Sequence, residues 1–335
     1  MMKNICIYGL GAVGGLVAAR LAAAGIPVRA VARGHTLAAT RARGLELRET
    51  VDGQPVVTRH AITVAEHPAE LGVQDLVIVA VKTTGLGGVA RDIAPLLGAH
   101  TTVLSAMNGV PWWFFHGLAP ALAPLQLSSV DPQGAITQAI APTRVVGCVT
   151  HLSATVPAPG VVQHVAGRRL VVGEPAGGTD TPRAQHILAL LRQAGFEVDA
   201  AESIQREIWF KLWGNMTVNP ISALTGATGD RIVADDFVRA FMSRCMREAA
   251  AMGQRIGLPI DADPEERHAV TRQLGAFRTS MLQDAEAGKP LELDALVAVV
   301  LDMAQQLQVP TPNIDTLMGL ARLKARVAGL YPDAA

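Results

Sequence analysis

The sequence has few cysteines, no excess of either charge and no hydrophobic run that approaches membrane-spanning length. Its three cysteines, Cys6, Cys148 and Cys245, are odd in number, far apart and set among apolar residues. This arrangement predicts reduced core thiols rather than a disulfide framework or a metal site. Because the 29 basic side chains (Lys and Arg) balance the 29 acidic ones, no net field attracts nucleic acid or an anionic membrane. The expected partners are therefore small molecules.

Signatures of several enzyme classes are also missing. The chain contains no GxSxG nucleophile elbow and no phosphate loop ending in GKS or GKT, and its nine histidines show no metal-ligand spacing. No secretory segment is expected, because the N-terminal apolar residues belong to a predicted strand and glycine turn. The sequence thus predicts a cytoplasmic enzyme without a metal, whose chemistry comes from an organic cofactor.

The length and the periodicity of the chain indicate two domains. At 335 residues and 50% hydrophobic content, the chain exceeds what one core usually supports. Short apolar strands alternate with helical stretches to about residue 200, and later strands are predicted at residues 101–105, 144–150, 160–164 and 169–173. Beyond residue 202 the pattern is helical, with breaks at prolines. We expect an α/β fold, with a Rossmann-type doubly wound sheet in residues 1–200, an all-helical domain in residues 201–335 and the ligand cleft between them.

A glycine-rich turn opens the chain. Residues 5–8 form a strand-like apolar run, strong helix formers follow the turn, and residues 27–32 resume a strand. Strand, GxGxxG turn, helix and strand make up a dinucleotide-binding unit, in which the helix N-terminus receives the pyrophosphate. The residues predicted to contact the dinucleotide are Gly9, Leu10, Gly11, Ala12, Val13 and Gly14.

Cofactor choice is usually determined at the end of the second strand, where NAD enzymes carry an acid that binds the ribose. This chain has Arg33 there, and no acid follows until Glu46. A guanidinium suits the 2′-phosphate of NADP, although a solvated arginine is the alternative. Lys82 follows the apolar run 75–81 and is a second candidate for the same phosphates; a surface lysine at the start of a loop remains equally compatible with the pattern.

Three polar side chains recur at helical spacing in residues 202–225. Lys211, Asn215 and Asn219 fall four residues apart and share one stripe of a predicted helix, which Pro220 should kink. A lysine and two amides in an apolar setting suit a small carboxylate or carbonyl. An amphipathic helix with its polar side toward water is the alternative.

These motifs resemble the ketopantoate reductase (2-dehydropantoate 2-reductase) family over nearly the whole chain and in the same order. The matching segments are residues 9–14, Arg33, Lys82, 108–109, 159–164, 211–220, 280–284 and 292–294. The resemblance implies that Lys211 donates the proton, that Asn108, Asn215, Asn219 and Ser280 hold the substrate, and that Asn108 and Glu292 contact NADP.

The implied roles agree with elementary chemistry. Hydride transfer to a ketone leaves negative charge on its oxygen, which a lysine ammonium stabilises and protonates. Asn215 and Asn219 donate to a 2-keto acid without adding charge. Simpler interpretations stay open for three residues: Asn108 as a turn residue, Ser280 as an exposed helical serine and Glu292 as an acid in a first helical turn. The four tryptophans near these residues either exclude water from the site or pack a domain interface.

Two departures from the family bear on the substrate. A further substrate-binding asparagine is replaced within Thr228, Gly229 and Asp230, and residues 112–115 (WWFF) are bulkier than usual. A paralogue that reduces another 2-keto acid or ketone is therefore an alternative to a ketopantoate reductase. A 3-hydroxyacid-type dehydrogenase and a non-catalytic NADP-binding protein are further alternatives. Hydrophobic faces on the predicted C-terminal helices make a homodimer an additional expectation.

Overall fold

The computed structural model of the protein describes residues 2–122 and 125–333. These residues form an α/β unit and a helical unit, so the predicted fold class is confirmed. Within the described ranges, no helix is both long and apolar enough to span a membrane.

Two compact units divide the chain. The first comprises Met1–Met107 and Ala135–Glu207, and the second comprises Asn108–Gly134 and Ile208–Ala335. The periodicity of the sequence predicts a single boundary at residue 200. That boundary leaves the segment 108–134 outside the helical unit, to which its contacts assign it. Domain limits in the functional sense stay a prediction.

The first unit is built on one mixed sheet, which has ten strands among the described residues. The strands are β1 (Ile5–Tyr8), β2 (Arg29–Val31), β3 (Leu45–Val51), β4 (Gln54–His60), β5 (Thr63–Ala65), β6 (Gln74–Val79), β7 (Leu97–Ala106), β8 (Val145–Ala158), β9 (Val161–Gly173) and β10 (Glu197–Ala200). Their order is β4-β3-β9-β8-β7-β6-β1-β2-β5, and β10 pairs with β9. The strands β8-β7-β6-β1-β2-β5 are mutually parallel. β1 and β6 are buried along almost their whole length, as a sheet covered on both faces requires.

Helices of the first unit are α1 (Ala12–Ala23), α2 (Gly34–Arg43), α3 (Leu86–Asp92), α4 (Ala135–Ala139) and α5 (Pro182–Gln193). Next come α6 (Ile204–Thr225), α7 (Gly229–Ala234), α8 (Asp236–Arg255), α9 (Pro264–Gln273), α10 (Ser280–Glu286), α11 (Val299–Leu307) and α12 (Pro312–Val327). A π-helical turn, Asp294–Ala298, leads directly into α11. The predicted proline breaks separate α8 from α9, α10 from the π-helical turn and α11 from α12.

Two antiparallel hairpins differ from the strand pattern expected from the sequence. Residues 160–164 and 169–173 were both predicted to extend the sheet, and the structure joins them in the single strand β9 of that sheet. The intervening residues 165–168 (VAGR) continue the strand, and Ala166 pairs with Ser153 of β8. Gly167 lies close to β8, since a Cβ there would be 2.5 Å from the His151 carbonyl oxygen. The β3–β4 hairpin turns at Asp52 and Gly53, both with positive φ, which is typical of a type I′ turn.

All three cysteines are buried and free, in agreement with the expectation of core thiols. Burial raises the pKa of Cys6 and of Cys245 to about 12, because a thiolate is poorly solvated there. Both side chains therefore act as small apolar groups in the packing.

Candidate active site

The glycine turn of the first unit depends on two very close backbone contacts. Gly9 has φ +100°, and a Cβ on it would lie 2.6 Å from the Val81 side chain. A Cβ on Gly14 would lie 2.1 Å from the carbonyl oxygen of Gly9. Only glycine permits this chain path, so the first and last glycines of the motif have the packing roles that the dinucleotide-binding turn requires.

The N-terminus of α1 is suited to receive an anion. Gly11 is its N-cap, no side chain caps the first turn and no acid lies in it, so the first amides and the positive end of the helix dipole face outward. A Cβ on Gly11 would meet no described atom within 4 Å, which leaves room for a pyrophosphate to approach the backbone. Leu10 is buried beside this position, and Ala12 and Val13 begin the helix.

Arg33 and Lys82 follow strands that flank β1. In the register of the parallel sheet Tyr8 is paired with both Val31 and Val79, so the two cations lie just beyond the same edge as the glycine turn. The structure thus brings together all the predicted phosphate-binding groups of the first unit. Their contact with a cofactor stays a prediction.

Arg33 has an acidic neighbour that the sequence did not reveal. Its Nη2 atom donates to Asp92 Oδ2 at 2.5 Å, and both side chains are about half exposed. Such surface pairs contribute little, so a 2′-phosphate would compete readily for the guanidinium. A second arginine, Arg91, was also missed: a Cβ on Gly88 would lie 3.7 Å from Arg91 Nη2 and 3.8 Å from Arg33 Nη1.

In the second unit, Lys211 on α6 donates a hydrogen bond from Nζ to Asn108 Oδ1 at 2.8 Å. The two residues are 103 positions apart in sequence. Asn108 is therefore more than a turn residue, because its amide oxygen accepts a hydrogen bond from the lysine ammonium. An amide partner orients the ammonium without neutralising it.

The position of Asn108 is fixed by the residues that follow it. Gly109 has φ +80°, and a Cβ there would lie 2.5 Å from the Ala295 carbonyl oxygen and 2.7 Å from the Ala295 Cβ. The Val110 amide donates to the same oxygen at 2.9 Å. Ala295 belongs to the π-helical turn, whose altered hydrogen bonding makes such carbonyls available, and turns of this kind recur at functional sites.

Glu292 precedes this π-helical turn and is half-buried. Residues on either side of it are tied to the C-terminal segment: the Leu291 amide donates to the Leu330 carbonyl oxygen at 2.9 Å, and the Tyr331 hydroxyl donates to Asp294. Burial raises the pKa of Asp294. The backbone on both sides of Glu292 is therefore anchored, whatever its side chain binds.

The remaining predicted substrate ligands differ in exposure. Asn215 is half-buried and Asn219 is buried, and both share the stripe of α6 that carries Lys211. Ser280 is exposed as the first residue of α10, where the preceding Thr279 caps the helix by accepting from the Leu282 amide at 3.1 Å. Their substrate contacts stay a prediction.

All four tryptophans are buried. Trp213 Nε1 donates to the Met246 carbonyl oxygen at 2.7 Å, and Trp209 packs against Phe114 with ring centroids 6.2 Å apart. These contacts lie within the second unit, and they make the bulky segment 112–115 part of its interior.

Two glycines of the second unit, Gly214 on α6 and Gly229 on α7, have a large side chain packed directly against them. A Cβ on Gly214 would lie 2.3 Å from Arg267 Nε, and a Cβ on Gly229 would lie 2.1 Å from the Phe277 ring. Neither Arg267 nor Phe277 was predicted from the sequence. The phenyl ring occupies the space that any side chain at position 229 would need.

Comparison with known proteins agrees with this geometry. The family model described as Ketopantoate reductase PanE/ApbA matches residues 5–177, and the model of its C-terminal part matches residues 203–325. A 2-dehydropantoate 2-reductase of Mesorhizobium japonicum is 43% identical over 98% of this chain and 99% of its own length. The chain is thus an oxidoreductase that acts on a CH–OH/C=O pair. It belongs to the ketopantoate reductase family.

Solved structures extend the comparison. A protein of Ralstonia solanacearum MolK2 assigned as a ketopantoate reductase is 52% identical, covers 99% of this chain and 100% of its own, and superposes with a TM-score of 0.93. D-mandelate dehydrogenase, in its ternary structure with NADH and anilino(oxo)acetate, is 19% identical with a TM-score of 0.82, over 97% of this chain and 99% of its own. That likeness shows a shared fold.

Replacing Gly109 with Ala should destabilise the protein by about 1–3 kcal/mol, because the new Cβ collides with Ala295 in a left-handed backbone conformation. The measurement is the free energy of unfolding in urea. Gly319→Ala is the matched control, since Gly319 lies in α12 with no described atom within 4 Å of its Cβ position. That change should be neutral or stabilising by up to ~1 kcal/mol. Equal effects of the two substitutions would contradict the contact.

Proposed function

We infer that this protein reduces 2-dehydropantoate (ketopantoate) to pantoate in pantothenate and coenzyme A biosynthesis, with NADPH as the reductant and Lys211 as the proton donor. The activity of the relatives, among them the Mesorhizobium japonicum reductase, supports the substrate. The observation that carries the mechanism is the 2.8 Å hydrogen bond from Lys211 Nζ to Asn108 Oδ1, because it holds an ammonium in a defined position.

The proposed reaction needs one hydride and one proton. Bound NADPH would supply the hydride to the ketone carbon, and the carbonyl electron pair would move to oxygen. Lys211 stabilises that oxygen and passes it a proton from Nζ, which leaves a neutral amine. General acids of this kind typically contribute about 10²- to 10⁴-fold to the rate.

Neutral groups complete the proposed substrate contacts. Asn215 and Asn219 each offer amide N–H donors for the carboxylate or hydroxyl of the substrate, and Ser280 offers a hydroxyl. These amide and hydroxyl groups bind the substrate without adding a charge of their own. Asn108 and Glu292 would contact the nicotinamide riboside.

The cofactor assignment rests on the first unit. Residues 9–14 would hold the pyrophosphate at the N-terminus of α1, and Arg33 and Lys82 would bind the 2′-phosphate. The proximity of Arg91 to Arg33 supports NADP over NAD, since it adds a second cation to the same surface. The pair formed by Arg33 and Asp92 would open when the phosphate arrives.

A paralogous reductase of a more apolar 2-keto acid is the second candidate, and one observation favours it. The Phe277 ring fills the space over Gly229, within the segment 228–230 where the resemblance to the family implies a substrate-binding asparagine. An aromatic ring there favours an apolar substrate tail and offers no partner to a hydroxyl group.

A homodimer remains part of the proposal. Leu320, Leu323 and Val327 are exposed on α12, at spacings that place them along one side of that helix. An apolar stripe of this kind is suited to a second copy of the chain.

The direct test is NADPH oxidation by the purified protein with ketopantoate, pyruvate, 2-ketoisovalerate and phenylpyruvate. The proposal expects the largest kcat/KM for ketopantoate. A clear preference for a substrate without the hydroxyl would instead identify the paralogous reductase, and absence of turnover with every keto acid would contradict both candidates.

Lys211→Ala should lower kcat by at least ~100-fold, because the developing oxyanion loses its proton donor. Lys324→Ala is the matched control, since Lys324 is an exposed lysine on α12. NADPH binding, measured by fluorescence titration, should persist in both variants. Near-normal turnover of the Lys211 variant would overturn its assignment.

Arg33→Asp should raise the Kd of NADPH much more than that of NADH, because the guanidinium is replaced by a carboxylate that repels the 2′-phosphate. Asp92→Asn is the control, since it removes the partner of Arg33 and keeps the guanidinium. It should leave NADPH affinity unchanged or improve it. Equal losses for both nucleotides in the Arg33 variant would contradict the NADP assignment.

A further inference from the structure

Arg267 on α9 is a half-buried cation that has no acidic partner in the described part of the chain. Its Nε atom is buried and has no hydrogen-bond partner among the described residues. Desolvation alone lowers its pKa, with no carboxylate acting against it. Arg272, on the same helix, instead forms an ion pair with Glu265 at 3.2 Å. Burying a cationic nitrogen without a partner is costly, and an anion from outside the chain would offset that cost.

The guanidinium lies directly on the backbone of the lysine helix. A Cβ on Gly214 would be 2.3 Å from Arg267 Nε, 2.9 Å from Nη2 and 3.0 Å from Cζ, so any side chain at position 214 would displace the guanidinium. A glycine inside a helix costs about 1 kcal/mol relative to alanine. Gly214 lies next to Asn215 and three residues after Lys211.

This placement brings the guanidinium close to the proposed reaction centre. Residues three apart on a helix are surface neighbours, with Cβ atoms about 5–6 Å apart, so position 214 adjoins that of Lys211. In a 2-keto acid the carboxylate and the ketone are on adjacent carbons. Two neighbouring cations, one for each group, match that substrate class.

We propose that Arg267 binds the carboxylate of the 2-keto acid through its guanidinium, while Lys211 interacts with the ketone oxygen. This inference rests on the proposed function and deepens it by naming the group that recognises the acid. The planar guanidinium matches a carboxylate in two parallel hydrogen bonds, which a lysine cannot provide. Gly214 serves as a positioning residue, because its missing side chain makes room for the guanidinium.

The test compares a 2-keto acid with its uncharged methyl ester as substrates of wild type and Arg267→Met. The variant should lose about 10- to 100-fold in kcat/KM for the acid, the range for a hydrogen bond to a charged group, and little for the ester. Arg272→Met, which removes the same charge from the same helix, should leave the preference for the acid intact. Equal acid-to-ester ratios in wild type and Arg267→Met would overturn the proposal.

Gly214→Ala is a second variant, which tests the proposal even if Arg267→Met does not fold. Alanine favours the helix but displaces the guanidinium, so it should also reduce the preference for the acid over the ester. A purely structural arginine would alter the unfolding midpoint in both variants and leave that ratio unchanged, which would count against carboxylate binding.

A binding measurement separates this inference from the proposed function. Calorimetry of NADP-saturated protein with oxamate and with its neutral methyl ester needs no turnover. Wild type should bind oxamate more tightly than the ester, and Arg267→Met should lose that difference while Arg267→Lys regains part of it. Oxamate binding that requires Arg267 would support the inference even if no keto acid tested were reduced. Oxamate binding that is absent in wild type, or independent of Arg267, would overturn it.

Discussion

The hydrogen bond from the Lys211 ammonium to the Asn108 amide oxygen determines where the second unit holds this half-buried lysine charge, on which the proposed mechanism depends. Holding a lysine still costs up to about 2 kcal/mol of rotamer entropy, so the acceptor must itself be rigid. Asn108 meets that requirement because Gly109 and Val110 are locked onto Ala295. The irregular π-helical turn is therefore a structural support for the lysine as well as a connection between helices.

Glycines set the closest contacts in both units. In the first unit, Gly9 and Gly14 let a strand, a turn and a helix approach closely enough to leave helix amides exposed to a ligand. In the second unit, Gly214 leaves space for Arg267 and Gly229 leaves space for Phe277. The glycines thus leave space at these positions. In the second unit that space is filled by the charged side chain of Arg267 and the aromatic ring of Phe277.

Local patterns in the sequence predict much of this fold because their causes are local. The glycine turn, the strand-end positions of Arg33 and Lys82, and the stripe of Lys211 follow from periodicity over a few residues. Two contacts are tertiary: Arg33 pairs with Asp92 on α3, and Arg267 packs against Gly214 on α6. No local sequence pattern predicts such contacts. Gly214 was the available signal, since an isolated glycine within a helix usually has a packing reason. The strand β9 was predicted as two runs because Gly167, which lies between them, interrupts the strand pattern.

The C-terminal segment adds a consequence for how the protein is made. Asp294 receives its hydrogen bond from Tyr331, a residue 37 positions downstream, and Leu330 accepts from the amide of Leu291. During synthesis on the ribosome, the turn that supports Asn108 lacks these two anchors until residues 330 and 331 have emerged. All ten described strands of the sheet end by Ala200, so the residues of the glycine turn and its sheet have emerged long before the anchors of the turn that supports Asn108.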